Sequence, residues 1–238
     1  MVFRVAKISL AIDNALQVDQ GHRQHADELH PTGVDRMSSA GRCYRERWAV
    51  ARGVPLDPGK GFRSQTLRIF RMGHIVEDEV VRLIEEAGFP VFDQQREIGS
   101  SPWLGHIDGL IEVDDRVSLL EIKSCNDKRF GELLEVGYEQ WSPGYAAQLQ
   151  AYMFHIPEVE DAIAAVYNKN DSRLYFERIL FDLDAARELE RQHELAATPG
   201  PLPPPRPPAA KSQYGKFCKW CDRNEWCWSS STEVQFDD

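Results

Sequence analysis

Asp108, Glu121 and Lys123 fall within one short stretch, Gly105 to Lys123, reading GHIDGLIEVDDRVSLLEIK. Two apolar runs, Ile107–Val113 and Val117–Ile122, flank Asp114-Asp115-Arg116, a polar trio that predicts a hairpin turn. Side chains alternate along a strand, so Glu121 and Lys123 share one face and Ile122 takes the other. The pattern puts Asp108 near the middle of the first strand, and pairing would bring its carboxylate beside Glu121. Two carboxylates and an ammonium among Val, Ile and Leu are costly to bury unless they pair or hold a cation. Carboxylates joined by backbone carbonyls and water suit a hard ion such as Mg²⁺ or Mn²⁺. An acid two residues before a lysine is also common on solvated strand faces, so this stretch alone leaves both readings open.

A second reactive set lies in the C-terminal tail, Phe217 to Trp228, FCKWCDRNEWCW. Cys218, Cys221 and Cys227 form a CxxCx₅C cluster among three tryptophans, a pattern of metal or cluster ligands. A fourth ligand is needed, and the tail offers no other Cys or His. Cys43 can supply it if the chain ends meet, because loop-closure entropy grows only with the logarithm of length. Cys125 sits beside Lys123, where a cluster would crowd a second charged centre, and is read as a buried structural thiol. Zinc is the usual occupant of four thiolates, but two CxxC pairs are its commoner spacing. A [4Fe–4S] cluster accommodates one remote cysteine beside a triplet.

The elements that must position these residues follow from periodicity. Ser38 or Ser39 caps a helix through Cys43 and Trp48 to about Arg52, ended by Gly53 and Pro55. Gly53 to Gly61, GVPLDPGKG, fails the phosphate-loop pattern, since Gly61 stands where Ser or Thr is required. Ser64 to Ala87 is predicted as one long helix with apolar positions Leu67, Phe70, Ile75, Val76, Val80, Leu83 and Ile84 at helical spacing. His74 lies in its middle. Phe89–Ile98 reads as a first strand, before the Asp108 and Glu121 strands. Asn126–Trp141 is partly helical, and Pro143 opens a helix from Gly144 to His155. Gln148 and Tyr152 are four apart on that helix and so share a face. Ala162–Asn168 and Arg173–Phe181 form a second hairpin, and Leu183–Ala197 is a helix. Pro199 to Pro208, PGPLPPPRPP, reads as an extended polyproline-like spacer. The expected divisions are an N-terminal helical segment over 1–63, a core over 64–198, a Pro-rich linker over 199–210 and a cysteine tail over 211–238.

Composition sets outer limits. With 238 residues, the chain can form a substantial core. It has no apolar run of bilayer length, and its opening is too broken by charge for a signal peptide; a cytoplasmic location is the default expectation. Five cysteines, an odd number, then favour metal binding or reactive thiols over a disulfide framework. A net charge of −10 excludes a protein that coats nucleic acid along its whole surface. Locally, Arg36, Arg42, Arg45, Arg47, Arg52, Lys60, Arg63, Arg68 and Arg71 face only Glu46 and Asp57. That excess fits either a phosphate-following surface or a solvated helical face. The histidines His22, His25 and His30 lack metal-site spacing and read as surface residues.

The order Cys43, His74, Asp108, Glu121-Ile122-Lys123, Gln148/Tyr152, Cys218/Cys221/Cys227 resembles the RecB-like PD-(D/E)XK nucleases that carry a four-cysteine [4Fe–4S] cluster. The CRISPR-associated exonucleases of the Cas-four type and the AddB nuclease domains are of this kind. The resemblance spans Ser38 to Trp228. It implies an α/β, restriction-endonuclease-like core: a mixed central sheet flanked by helices, with the N-terminal part and cysteine tail joined through the cluster. It implies that His74, Asp108, Glu121 and the Ile122 carbonyl hold Mg²⁺ or Mn²⁺. Lys123 would orient or deprotonate the attacking water, Gln148 and Tyr152 would steady the site, and Cys43, Cys218, Cys221 and Cys227 would hold the cluster. The implied activity is exonucleolytic cleavage of single-stranded DNA or DNA ends, with CRISPR integrase or recombination proteins as partners. Two other readings remain: a non-catalytic, zinc-stabilised nucleic-acid-binding module, and an accessory subunit that acts only within a larger machine.

Overall fold

A computed structural model describes residues 12–17, 35–61 and 63–229. His22, His25 and His30 lie outside the described residues; of the segment before them, 12–17 is helical (α1).

Two mixed sheets organise the rest. The larger has five strands in the spatial order β2 (Val91–Phe92), β5 (Gly109–Val113), β6 (Arg116–Cys125), β7 (Asp161–Asn168) and β8 (Leu174–Leu180). Only β6 and β7 run parallel; the other neighbours are antiparallel. A parallel pair needs a long crossover. Here it is supplied by α4 (Asp127–Val136), α5 (Tyr138–Trp141) and α6 (Pro143–Phe154). The smaller sheet orders β1 (Asp35–Arg36), β4 (Trp103–His106) and β3 (Glu97–Ser100).

β6 is covered on both faces, which is why it reads as an almost continuous apolar run. Leu119 belongs to a core with Phe130, Leu133, Leu149 and Tyr152 on the crossover side. Leu120 and Ile122 meet Val76, Val80 and Ile84 of α3 (Ser64–Glu86) on the other. The apolar stripe expected along α3 therefore divides. Val76 onward is core, whereas Phe70 and Ile75 are exposed because the helix begins before the sheet.

Several boundaries differ from expectation. Phe89–Ile98 holds two strands, β2 and β3, in different sheets. Asp108 is not mid-strand but in the bend between β4 and β5, where the chain passes from one sheet to the other. The hairpin turn is Asp114-Asp115 alone: both have positive φ, 55° and 60°, and Arg116 already pairs with Val113. Gly137, at φ 76°, breaks Asn126–Trp141 into α4 and α5. Met37–Ser39 is a 3₁₀ turn, so α2 (Tyr44–Ala51) starts one residue after Cys43, which occupies the N-cap position. The helix Leu183–Ala197 (α7) stands as predicted, with Asp182 accepting from the amides of Asp184 and Ala185.

The arginines of α2 correct the expectation of a basic, solvent-facing helix. Arg45 and Arg47 are each only 2% exposed. Arg47 pairs with buried Asp35 through Nε at 2.9 Å, and His193 Nδ1 of α7 meets the same carboxylate at 2.9 Å. Burial alone would raise Asp35, yet these two partners hold its carboxyl below the usual range. Arg45 donates to the carbonyl of Pro204, and Trp48 Nε1 donates to that of Thr198 at 2.9 Å. The Pro-rich stretch has no helix or strand, as expected of its composition, but it is packed: Pro203, Pro204 and Pro207 are buried. It acts as a strap over α2.

Candidate active site and cysteine cavity

Register brings the first set together. Gly109 pairs with Leu120, so the preceding residue, Asp108, stands beside the chain at Glu121. The amide of Ile122 donates to Asp108 Oδ2 at 2.7 Å, fixing the carboxylate on the β6 backbone. Glu121 is fully buried. Its Oε1 accepts from Gln148 Nε2 at 2.9 Å and pairs with the Lys123 ammonium, while Oε2 is buried with no hydrogen-bond partner. Gln148 also donates to Tyr152 Oη at 3.1 Å, as residues four apart on a helix can. Lys123 Nζ reaches the Ile122 carbonyl at 3.3 Å.

Burial pushes the Glu121 carboxyl up, against the attraction of Lys123. Burial alone would lower Lys123, but Glu121 and Asp108 raise it, so the lysine is held as a cation. A charged lysine can orient water and neutralise phosphate charge.

His74 does not join the group. Its side chain is 79% exposed, and its closest acidic neighbour is Glu77 Oε2 at 3.7 Å. Glu77, one turn on, faces the site instead: its side chain is 19% exposed, and burial followed by the charge of Asp108 raises its carboxyl. Gln95 Nε2 steadies it at 2.7 Å. Sequence reading missed Glu77, although it lies three and four residues before the buried Val80 and Val81 and so shares their stripe. Two tyrosines were also missed. Tyr138 is fully buried, with an unpartnered hydroxyl, and the charges of Glu121 and Lys123 bear on it. Tyr145 offers its ring to Lys123 Nζ at 5.1 Å. Neither had a spacing signal.

The second set also converges. Cys43, Cys218, Cys221 and Cys227 line one cavity of about 780 Å³. Burial pushes the Cys43 thiol up to about 11, partly offset by the α2 amides of Glu46 and Arg45. Burial, with the charge of Glu46, pushes Cys221 up to about 12. Protein contacts alone already join the segment 48–57 to the tail. Asp57 accepts from the amides of Glu225 and Trp226 at the start of α8 (Asn224–Trp228), at 2.7 and 3.1 Å. Trp226 stacks on Trp48 at 6.2 Å, and Arg223 Nε donates to the Val54 carbonyl at 2.8 Å; within the tail, Arg206 donates to the Cys227 carbonyl at 2.6 Å. Cys125 is apart from the four, in the core with Phe130.

No protein-family model matches the chain, and no curated protein does. Solved structures do. The structure of SSO0001 superposes with a TM-score of 0.53 at 15% identity, over 98% of this chain and 100% of that one. An alkaline exonuclease from Laribacter hongkongensis superposes with a TM-score of 0.52 at 19% identity, over 69% of this chain and 86% of that one. The chain shares their fold. The α/β architecture expected from the sequence, a mixed sheet flanked by helices, is thereby shown.

Among the described residues no group of three or more His, Cys, Asp or Glu side chains is assembled as a metal site. The donors nonetheless suit a hard cation. Glu121 Oε2 is a buried carboxyl oxygen without a partner, and Glu77 and Asp108 are near enough for their charges to disfavour its ionisation. A buried acceptor left unpaired costs roughly 1–3 kcal/mol, which a ligand would remove. Among the described residues no helix is long and apolar enough to cross a membrane.

Proposed function

We propose that the protein is a Mg²⁺- or Mn²⁺-dependent deoxyribonuclease of the RecB-like kind, hydrolysing phosphodiester bonds of single-stranded DNA or DNA ends. The observation that carries this reading is Glu121: fully buried, with Lys123 and Gln148 on one oxygen and no partner for the other, beside Asp108. Glu77, Asp108, Glu121 and the Ile122 carbonyl are the residues to hold the cation, with Glu77 in the place expected of His74. Bound there, the ion supplies charge neutralisation and a polarised phosphoryl oxygen.

The chain's own residues do the rest. Asp108 keeps its place through the Ile122 amide, so its other oxygen is free to turn to a ligand. Gln148 holds Glu121 and Tyr152 in one hydrogen-bonded row. Lys123, whose cation two carboxylates favour, would hold the attacking water and offset charge building on the phosphoryl oxygens. The four thiols around one cavity suit a [4Fe–4S] cluster, whose binding would deprotonate them and tie α2 to the tail.

The test is Asp108→Ala and Glu121→Ala against labelled single-stranded DNA in Mg²⁺ or Mn²⁺. Each variant should lose on the order of 10³-fold in cleavage rate, while binding an uncut oligonucleotide much as the parent does. Undiminished digestion by either variant would remove the proposed site.

A further inference from the structure

The tail holds a feature that neither the cysteines nor the carboxylates explain. Lys211, Tyr214, Lys216, Phe217, Lys219 and Trp220 interleave three cations with three aromatic rings, and all six are exposed. Tyr214 is 82%, Phe217 47% and Trp220 76% exposed, and Lys219 Nζ lies 5.1 Å from the Trp220 ring. No acidic residue interrupts the run from Lys211 to Trp220, in a chain whose net charge is −10. Bare aromatic rings in such a group mark a contact surface.

We propose that this strip is a stacking track for single-stranded DNA leading into the carboxylate site. The proposal rests on the nuclease reading above and identifies the surface that would feed it. Charge and ring pattern select the occupant. Lysines at short intervals suit phosphates, and exposed aromatic faces suit unpaired bases, which a duplex keeps stacked inside. A protein partner fits less well, because interface cores are depleted in lysine.

Geometry connects the strip to the site. Lys211, Lys216, Phe217 and Trp220 line the cysteine cavity together with Gly41 and Arg42. Gly41 lies against the first turn of α6: a Cβ there would stand 2.5 Å from the Cα of Gly144. The next residue, Tyr145, is partly exposed, and its ring is the one that faces Lys123 Nζ at 5.1 Å. The cavity edge at Gly41 and Arg42 is thus packed against the turn of α6 whose Tyr145 faces the lysine of the site.

The experiment uses the full chain and a fluorescently labelled oligothymidylate in EDTA, so that affinity is read without cutting. Tyr214→Ala, Phe217→Ala and Trp220→Ala combined should weaken binding by at least about 10²-fold, given the worth of base–aromatic stacking. Lys211→Gln, Lys216→Gln and Lys219→Gln combined should lower the slope of log affinity against log salt by about 2, at roughly 0.7 per phosphate contact. Size exclusion and thermal midpoints check that the variants keep the parent's fold and assembly. Unchanged affinity in both variants overturns the track. Unchanged affinity with an altered oligomeric state overturns it too, and makes the aromatic strip a protein interface. Hydrolysis of bis(p-nitrophenyl) phosphate by the parent in Mn²⁺ reads the nuclease chemistry separately. Tail-dependent binding without hydrolysis would keep the track and remove the nuclease reading; hydrolysis with tail-independent binding would do the reverse.

Discussion

The carboxylate site and the cysteine cavity are built by opposite means. At the first, a β-ladder does the positioning: a two-residue turn, five paired rows between β5 and β6, and one amide bond to Asp108 place the acids together. At the second, the segment 43–57 and the tail meet, and among the described residues no strand pairing joins them. Side chains reach backbone groups instead: Asp57 to α8, Arg223 to Val54, Arg45 to the proline strap. A ladder forms from neighbours in sequence and tolerates single changes, because many bonds share the task. Long-range tethers are few and each is singular. The cavity should therefore be the easier of the two regions to take apart.

The largest effect is expected at a ligand. Cys43→Ala should lose iron and visible absorption nearly as completely as Cys218→Ala, whereas Cys125→Ala should retain both, since Cys125 lies in the core away from the cavity. Iron content and absorption spectra after anaerobic purification check this. A Cys43→Ala protein with full iron content would show that the fourth ligand lies elsewhere and that the chain ends meet through protein contacts alone.

The two regions were also unequally legible. The Asp108–Lys123 stretch announced a hairpin because alternation and turn chemistry are local, and Gln148/Tyr152 declared a shared face for the same reason. The convergence of the cysteines followed from ligand counting, not from any pattern of folding. What escaped was the role of burial. Nothing in the spacing of Arg45 and Arg47 says that they face inward; Asp35, twelve residues before Arg47, and the proline strap, far along the chain, offset that burial. His74 entered through the resemblance, and a helix's own sequence does not say where along its length the sheet begins. The exposure of Phe70 and Ile75 has the same origin.

A smaller effect separates those two helical residues and probes the ladder-built site. Glu77→Ala should slow cleavage by about 10²-fold, the size expected on losing one charged group from a cation site. His74→Ala, at a side chain 79% exposed, should remain within about threefold of the parent. Single-turnover cleavage in Mg²⁺ measures both. If the ranking is reversed, His74 swings inward when the cation binds, and the stripe argument for Glu77 fails.

The smallest expected effect tests the tethers. Asp57 is 6% exposed, and both its oxygens cap α8 from outside that helix, accepting from Glu225 and Trp226. Its own amide bonds back to the Asp222 carbonyl at 2.9 Å, and Arg223 Nε reaches the nearby Val54 carbonyl at 2.8 Å. α8 is a single short turn with no cap from within its own segment, so these bonds supply what its sequence lacks. Asp57→Ala leaves two amides without acceptors, at a cost of about 1–2 kcal/mol. A local loss of that size need not move the sheets, because among the described residues no strand pairs with the tail. Limited proteolysis should then cut within 199–216 several-fold faster, while the urea midpoint of the core changes little. Asp57→Asn keeps one acceptor oxygen and should lie between the two. Equal protease resistance in Asp57→Ala and the parent would mean that the Trp48–Trp226 stack and the proline strap hold the tail without the cap. The cavity would then be as redundantly built as the ladder, and the contrast between the two regions would dissolve.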